Sequence, residues 1–226
     1  MKISSNYKVA AIAALIILPA LGIFFLGNLK WVHKPLPILG EREVVANGDT
    51  IYHKVGDVVL YNQHGQKISL TDFDSSILLV NIFFASCPEV CPEMNKQLQS
   101  VAEKFQNEPQ VKFLTVSIDP ESDSVPVIAN YAKAFKADLY KRTFATGSKA
   151  EIYDWAINDV LLATEQRGSD FIHDDRVVII DKDHRIRGIL PTRAKTNSER
   201  IELIRRIIDD IENLKYEYRE KSLDKR

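Results

Sequence analysis

Cysteine is nearly absent from this chain: two in 226 residues, both inside one stretch of five positions, and none before residue 87. Two cysteines exclude the disulfide-dense scaffold of a small secreted domain. The empty first 86 positions also leave a lipoprotein anchor nothing to carry its lipid. Arginine is missing from the first 30 residues, unlike an arginine-rich transit peptide. Charge of one sign is missing too: 30 Lys+Arg against 31 Asp+Glu leave a formal charge of −1, without the basic field of a nucleic-acid binder. What is present, 45% hydrophobic and 27% charged residues, is too apolar for a disordered chain and too charged for a polytopic membrane protein. The length suits one folded domain.

One long apolar run stands out. Val9–Leu29 contains no charge, and at ~1.5 Å rise per residue it reaches about 31 Å, enough to cross a bilayer core. Pro19 lies within it, and membrane helices accept proline more readily than soluble ones. The run exceeds the ~7–15 residue core of a signal peptide, and no A-x-A site closes it. Residues 1–30 are therefore expected to form an uncleaved anchor, residues 31–52 a linker carrying Pro35 and Pro37, and residues 53–226 the folded domain. Lys2 and Lys8 nearly balance Lys30 and Lys34, and the free amino terminus tips the N-terminal end inward. The expected location is a bacterial inner membrane, crossed once, with the domain on the periplasmic side.

From Gly56 the pattern is α/β. Val58–Tyr61 and Lys67–Leu70 flank a turn-rich stretch and predict a hairpin. Ser76–Phe84 is short and almost wholly apolar, as a strand buried on both faces requires. A helix is expected over Cys91–Phe105, with Met94, Leu98, Val101 and Phe105 on one stripe. Val111–Ile118 predicts a strand, Val125–Phe135 a helix, Arg142–Ala145 a short strand and Ala150–Ile157 a helix. Arg176–Ile180 and Arg185–Leu190 predict a hairpin around Asp181–His184. A last helix opens at Thr196-x-x-Glu199, a capping box, with Ile201, Ile204, Ile208 and Ile211 on one face. Its charged end, Lys215–Arg226, reads as solvated. Two cysteines after a central strand and leading into a helix give a thioredoxin-like layout with an N-terminal hairpin extension.

Cys87-Pro88-Glu89-Val90-Cys91-Pro92 uses every cysteine in the chain. If it winds as a helical turn, positions i and i+4 share a face with Cα atoms about 6 Å apart, which suits a disulfide and also lets both sulfurs meet one ion. The helix N-terminus is expected to lower the thiol pKa values, favouring the thiolate that nucleophilic attack and metal ligation both need. An inert disulfide is disfavoured, because so short a loop gains little from closure. Soft thiolates select Cu(I), zinc or iron–sulfur clusters, and two of them call for a further ligand. Of the five histidines, His33 lies in the linker, His53 precedes the core, and His64 and His184 lie in turns. His173 directly precedes the strand Arg176–Ile180, where a loop at a sheet end can approach the cysteines.

At these residues the sequence resembles the Sco/SenC family of cytochrome c oxidase assembly proteins, membrane-anchored and thioredoxin-like. The resemblance runs from about Val55 to Ile211. It rests on Phe83-Phe84-Ala85-Ser86-Cys87-Pro88-Glu89-Val90-Cys91-Pro92, on Ser117-Ile118-Asp119-Pro120-Glu121-Ser122-Asp123, and on Phe171-Ile172-His173 ahead of the strand ending at Asp181. It implies a copper site on Cys87, Cys91 and His173, Cu(I) or Cu(II) as the bound metal, and the copper-bearing subunit of a respiratory oxidase as partner, with no nucleic acid. The chain departs from the family pattern at Ala85, at Ile172, at Asp174-Asp175 and at His184.

Two functions compete. The first is a copper metallochaperone for an oxidase copper centre; the second is a thiol–disulfide reductase in which Cys87 and Cys91 are the redox-active pair. C-x3-C spacing and the lack of proline in Gly168–His173 favour metal over general reductase chemistry. Peroxiredoxins resemble one another in a Thr or Ser three residues before the reactive cysteine, where this chain has Phe84, and that reading is disfavoured.

Overall fold

Six apolar residues and one asparagine make up Ile77–Phe83, and every one is buried. A strand of that composition is stable only when covered on both faces, and it lies in the interior of the sheet with a neighbour on each side. The computed structural model describes residues 13–23, 35–167 and 170–223. In the unit Pro35–Arg226, the strands are β1 (Arg42–Val44), β2 (Thr50–Tyr52), β3 (Leu60–Asn62), β4 (Lys67–Ile68), β5 (Ile77–Phe83), β6 (Val111–Ser117), β7 (Arg142–Gly147), β8 (Thr164–Arg167), β9 (Asp170–His173), β10 (Arg176–Ile180) and β11 (Ile186–Pro191). With residues 13–23 as helix α1, the helices of this unit are α2 (Val90–Lys104), α3 (Val125–Ala134), α4 (Lys149–Asp154) and α5 (Asn197–Leu223).

The main sheet has seven strands in the order β11-β10-β5-β6-β7-β3-β4. β5, β6 and β7 run parallel, and the remaining pairs are antiparallel. This is the mixed α/β, thioredoxin-like layout that the order of sequence patterns predicts. The period-2 alternation of β5 divides the core: Ile77, Leu79 and Phe83 join α2, α3 and α5, while Leu78, Val80 and Ile82 join Leu60, Leu70, Ile152 and Trp155. The cysteines belong to the first of these layers.

Several expectations shift. The β3–β4 hairpin is shorter than predicted, because the Asn62 side chain accepts the amides of His64 and Gln66 and Leu70 enters a 3-10 turn. The helix at Ala150–Ile157 is α4 followed by a π-helical turn, Trp155–Asp159. From Pro35 onward the expected linker is folded. Arg187 donates to the carbonyls of Leu36 (2.7 Å) and Pro37 (3.2 Å), Leu39 bridges Ile186, and β1 pairs with β2. In α5 the buried stripe is Ile207, Ile211, Leu214 and Lys215, and Ile201 is exposed. Lys215 is not solvated as expected: its Nζ stands over the Phe105 ring and reaches Glu108 and Glu212.

The helix α1 belongs to the separate unit Met1–Lys34. Its Leu15, Ile16, Leu18 and Ile23 are exposed. The rest of the expected span Val9–Leu29 lies outside the described residues, and among those described no helix is long and apolar enough to cross a membrane.

Candidate metal centre

The segment Cys87–Cys91 does not wind as one helical turn, because the helix begins at Val90, one residue ahead of the expected Cys91. Cys87 precedes Pro88, and the residue before a proline is pushed out of the α region. Cys91 also precedes a proline, but Pro92 falls in the first turn, where a missing N–H costs nothing. The two residues still meet: the Cys91 amide donates to Cys87 Sγ at 3.3 Å. Both side chains are thiols, with no disulfide between them. Cys91 is fully buried and Cys87 is 7% exposed, so an incoming group reaches Cys87 first. Burial pushes the Cys91 thiol up, only partly opposed by a backbone hydrogen bond with Phe84. Desolvation therefore outweighs the expected lowering by the helix N-terminus at this residue.

The loop carrying Cys87 is tied to the end of β6. Asp123 accepts the Ala85 amide at 2.9 Å and the Ser117 hydroxyl at 2.5 Å, while Ser117 Oγ accepts the Asp119 amide at 3.1 Å. Burial raises the Asp123 carboxyl pKa, and these donors oppose the shift. The segment Ser117–Asp123 thus fixes the approach to the cysteines.

His173 ends β9, where it pairs in register with Thr164 of β8; its side chain lies outside the described residues. Its backbone surroundings are fixed on both sides. The Asp174 amide donates to the Ala163 carbonyl at 3.0 Å, and the Ala163 amide donates back to Asp174 Oδ2 at 3.2 Å. The Asp175 carbonyl accepts the amide and the hydroxyl of Thr192, whose own carbonyl accepts Gln97 Nε2 of α2 at 2.6 Å. A hydrogen-bonded chain therefore runs from the cysteine helix to the residue two places after His173. His53, His64 and His184 bond the Asp159 carbonyl, Asp138 and Asp74 respectively, and His33 lies outside the described residues.

Sequence reasoning missed the polar lane beneath α2. Asn81 of β5, Thr115 of β6 and Arg142 of β7 lie on the face that carries Ile77, Phe113 and Phe144, among the residues packed around Cys91. Thr115 donates to Asn81 Oδ1 at 2.8 Å, and Arg142 donates to Asn95. A polar residue at an inward position of a buried strand is the signal that would have found them.

Among relatives, the mitochondrial SCO2 homolog of Danio rerio is 31% identical over 130 residues, covering 55% of this chain and 46% of that protein, so the match spans under half the relative's length. ScoI of Bradyrhizobium japonicum, solved with copper bound, superposes with a TM-score of 0.55 at 20% identity, covering 67% of this chain and 98% of that one. BsSco, a member of the Sco family of cytochrome c oxidase assembly proteins in which a disulfide switch was identified, gives a TM-score of 0.60 at 21% identity over 72% and 93%. These two structures share the fold. The SCO1/SenC family model matches residues 49–209, well over half of the sequence, and the chain belongs to that family.

Proposed function

We propose that this protein is a membrane-anchored copper metallochaperone that serves the assembly of a respiratory cytochrome c oxidase copper centre, binding its cargo through Cys87, Cys91 and His173. The observation that carries this reading is the hydrogen bond from the Cys91 main-chain amide to the Cys87 sulfur, which brings the two cysteine thiols together where strand β5 passes into α2. Copper in a solved family member and the oxidase-assembly role of the family support it. The donor set fits soft-ion chemistry, since thiolates with an imidazole suit Cu(I). Loading exchanges protons for metal: each thiol that ligates copper releases its proton to solvent. Cys87, the less buried of the two, receives the ion, and Cys91 completes the dithiolate from inside. The anchor over residues 1–30 holds the domain on the periplasmic face of a bacterial inner membrane, facing the copper-bearing oxidase subunit.

The second reading, a thiol–disulfide reductase, draws on the same pair, which closes to a disulfide as a partner disulfide opens, two electrons passing to the partner. Loading the purified full-length protein and its Cys87→Ser, Cys91→Ser and His173→Ala variants with Cu(I) and Cu(II) separates the readings. Either serine variant should lose high-affinity copper, and His173→Ala should lose Cu(II) while still reducing a disulfide-bonded peptide. Wild type that binds no copper yet reduces the peptide would decide for the reductase. Protease added to spheroplasts should digest the domain; full protection overturns the periplasmic placement.

A further inference from the structure

A buried charge with no counter-charge costs several kcal/mol of desolvation, and Arg142 is such a charge. It is 1% exposed, and among the described residues its partners are all neutral. Nη1 donates to the Asn95 carbonyl at 3.0 Å and Nη2 to Asn95 Oδ1 at 2.6 Å, with Thr115 Oγ1 at 3.4 Å. Nε has no hydrogen-bond partner, and the guanidinium carbon stands 5.0 Å from the centroid of the Phe144 ring. Burial lowers its pKa to about 9, which leaves the guanidinium charged at neutral pH.

Asn95 connects this cation to the cysteine helix. One turn past Cys91, its Nδ2 donates to the Cys91 carbonyl at 3.0 Å while its two oxygens hold the guanidinium. Arg142 therefore sits under the first turns of α2, separated from Cys91 by a single side chain. Nothing in the copper-free dithiol balances it, because two thiols are neutral.

We propose that Arg142 is the fixed counter-charge of the copper-loaded dithiolate and biases the site toward monovalent copper. The inference rests on the metallochaperone reading above. Two thiolates, a neutral imidazole and Cu(I) sum to −1, whereas the same ligands with Cu(II) sum to zero. A cation held in a low-dielectric interior attracts the first and is indifferent to the second. In the empty protein the same cation is uncompensated. Arg142 therefore acts with opposite signs, favouring the Cu(I)-loaded state and disfavouring the copper-free fold, which a residue that only packs α2 against the sheet would not do.

The test compares the full-length wild type with Arg142→Met, with Arg142→Lys, and with Asn95→Leu/Arg142→Met, which removes the guanidinium together with the side chain that holds it while Thr115 keeps its bond to Asn81. Chelator competition for Cu(I) and for Cu(II), the copper reduction potential, and the unfolding midpoint of the copper-free protein are measured. Cu(I) affinity should fall about tenfold in both Met variants with Cu(II) affinity nearly unchanged. A tenfold loss confined to Cu(I) moves the one-electron potential about 59 mV negative. Arg142→Lys should keep affinity near wild type, and the copper-free double variant should unfold at or above the wild-type midpoint. Unchanged Cu(I) affinity, equal losses of Cu(I) and Cu(II), or a double variant that fails to fold each overturn the proposal while the metallochaperone reading stands. Wild type that binds no copper overturns both.

Discussion

The main-chain amide of Cys91 donates to the sulfur of Cys87 at 3.3 Å, so the two thiols are not equivalent when replaced. In Cys87→Ser, at a position 7% exposed, the new hydroxyl oxygen can accept the same amide, and the loss of stability should stay at or below about 1 kcal/mol. Cys91→Ser places a hydroxyl in a fully buried apolar cluster, at a cost of about 1–3 kcal/mol. Denaturant midpoints of the two variants give the comparison, and equal destabilisation would contradict it.

Gln97 reaches the Thr192 carbonyl at 2.6 Å, and Thr192 holds the Asp175 carbonyl. Gln97→Leu removes the link between α2 and the segment after His173. Cu(II) affinity should drop by about tenfold, the usual scale when a support behind a ligand is lost. The Cys87–Cys91 reduction potential should not move, because disulfide exchange needs no imidazole. Parallel copper titration and redox equilibration check this split; a potential that shifts together with the affinity would show that α2 itself had moved.

Arg187 pairs with Asp181 Oδ2 at 3.1 Å and with Glu217 Oε2 at 2.8 Å, and Glu217 in turn accepts the Leu36 amide at 2.8 Å. Arg187→Met leaves the buried Asp181 and the partly buried Glu217 with one cation fewer, a loss of about 3–5 kcal/mol. It also frees the residues just after Lys34. Limited proteolysis should then cut near Pro35 well before the body of the domain is digested, and an unchanged cleavage pattern would count against the clamp.

Burial raises the carboxyl pKa of Asp210 above its ordinary 3.8, with Arg206 opposing and Asp209 adding to the shift. An acid with a raised folded-state pKa supports the fold fully below its unfolded value, and that support is lost as pH climbs through the folded value. At neutral pH, above the unfolded value, wild type no longer has all of that support. Asp210→Asn should therefore raise the thermal midpoint at neutral pH, and the advantage should vanish below pH 3.8. A variant that is less stable at neutral pH would show that the charge is favourably placed.

The sheet centre is legible in the sequence because Ser76–Phe84 is too apolar for any exposed position, and the strand observed, Ile77–Phe83, lies inside that run. The cysteine helix is legible from the stripe Met94, Leu98 and Val101, all buried. Its first residue is legible to within one position, Cys91 expected and Val90 observed, since Pro92 suits a first turn while Pro88 restricts Cys87. The strands β8 and β9 escape a periodicity reading: Thr164–Arg167 is polar throughout, and among the described residues the two strands form a separate two-stranded sheet. His173 was expected on a loop for that reason. Arg142 was expected at the start of a short strand and is found there. Its burial depends on Asn95 and Thr115, which no local window around it contains, as well as on its strand neighbour Phe144.

The placement of β5 between β6 and β10 has a consequence for the order in which the chain can fold. Its parallel neighbour comes from residues 111–117, but its antiparallel neighbour is not made until residues 176–180, and the α5 residues Ile207 and Ile211 that share the cysteine layer come later still. During synthesis the half-sheet β5-β6-β7-β3-β4 can assemble while the α2 layer still lacks its cover. Pairings of such high sequence separation form late, because the intervening chain must first be closed into a loop. Until the last quarter of the polypeptide has docked, Cys87 and Cys91 lack this cover, so their redox state is exposed to the kinetics of folding before the finished fold can protect it.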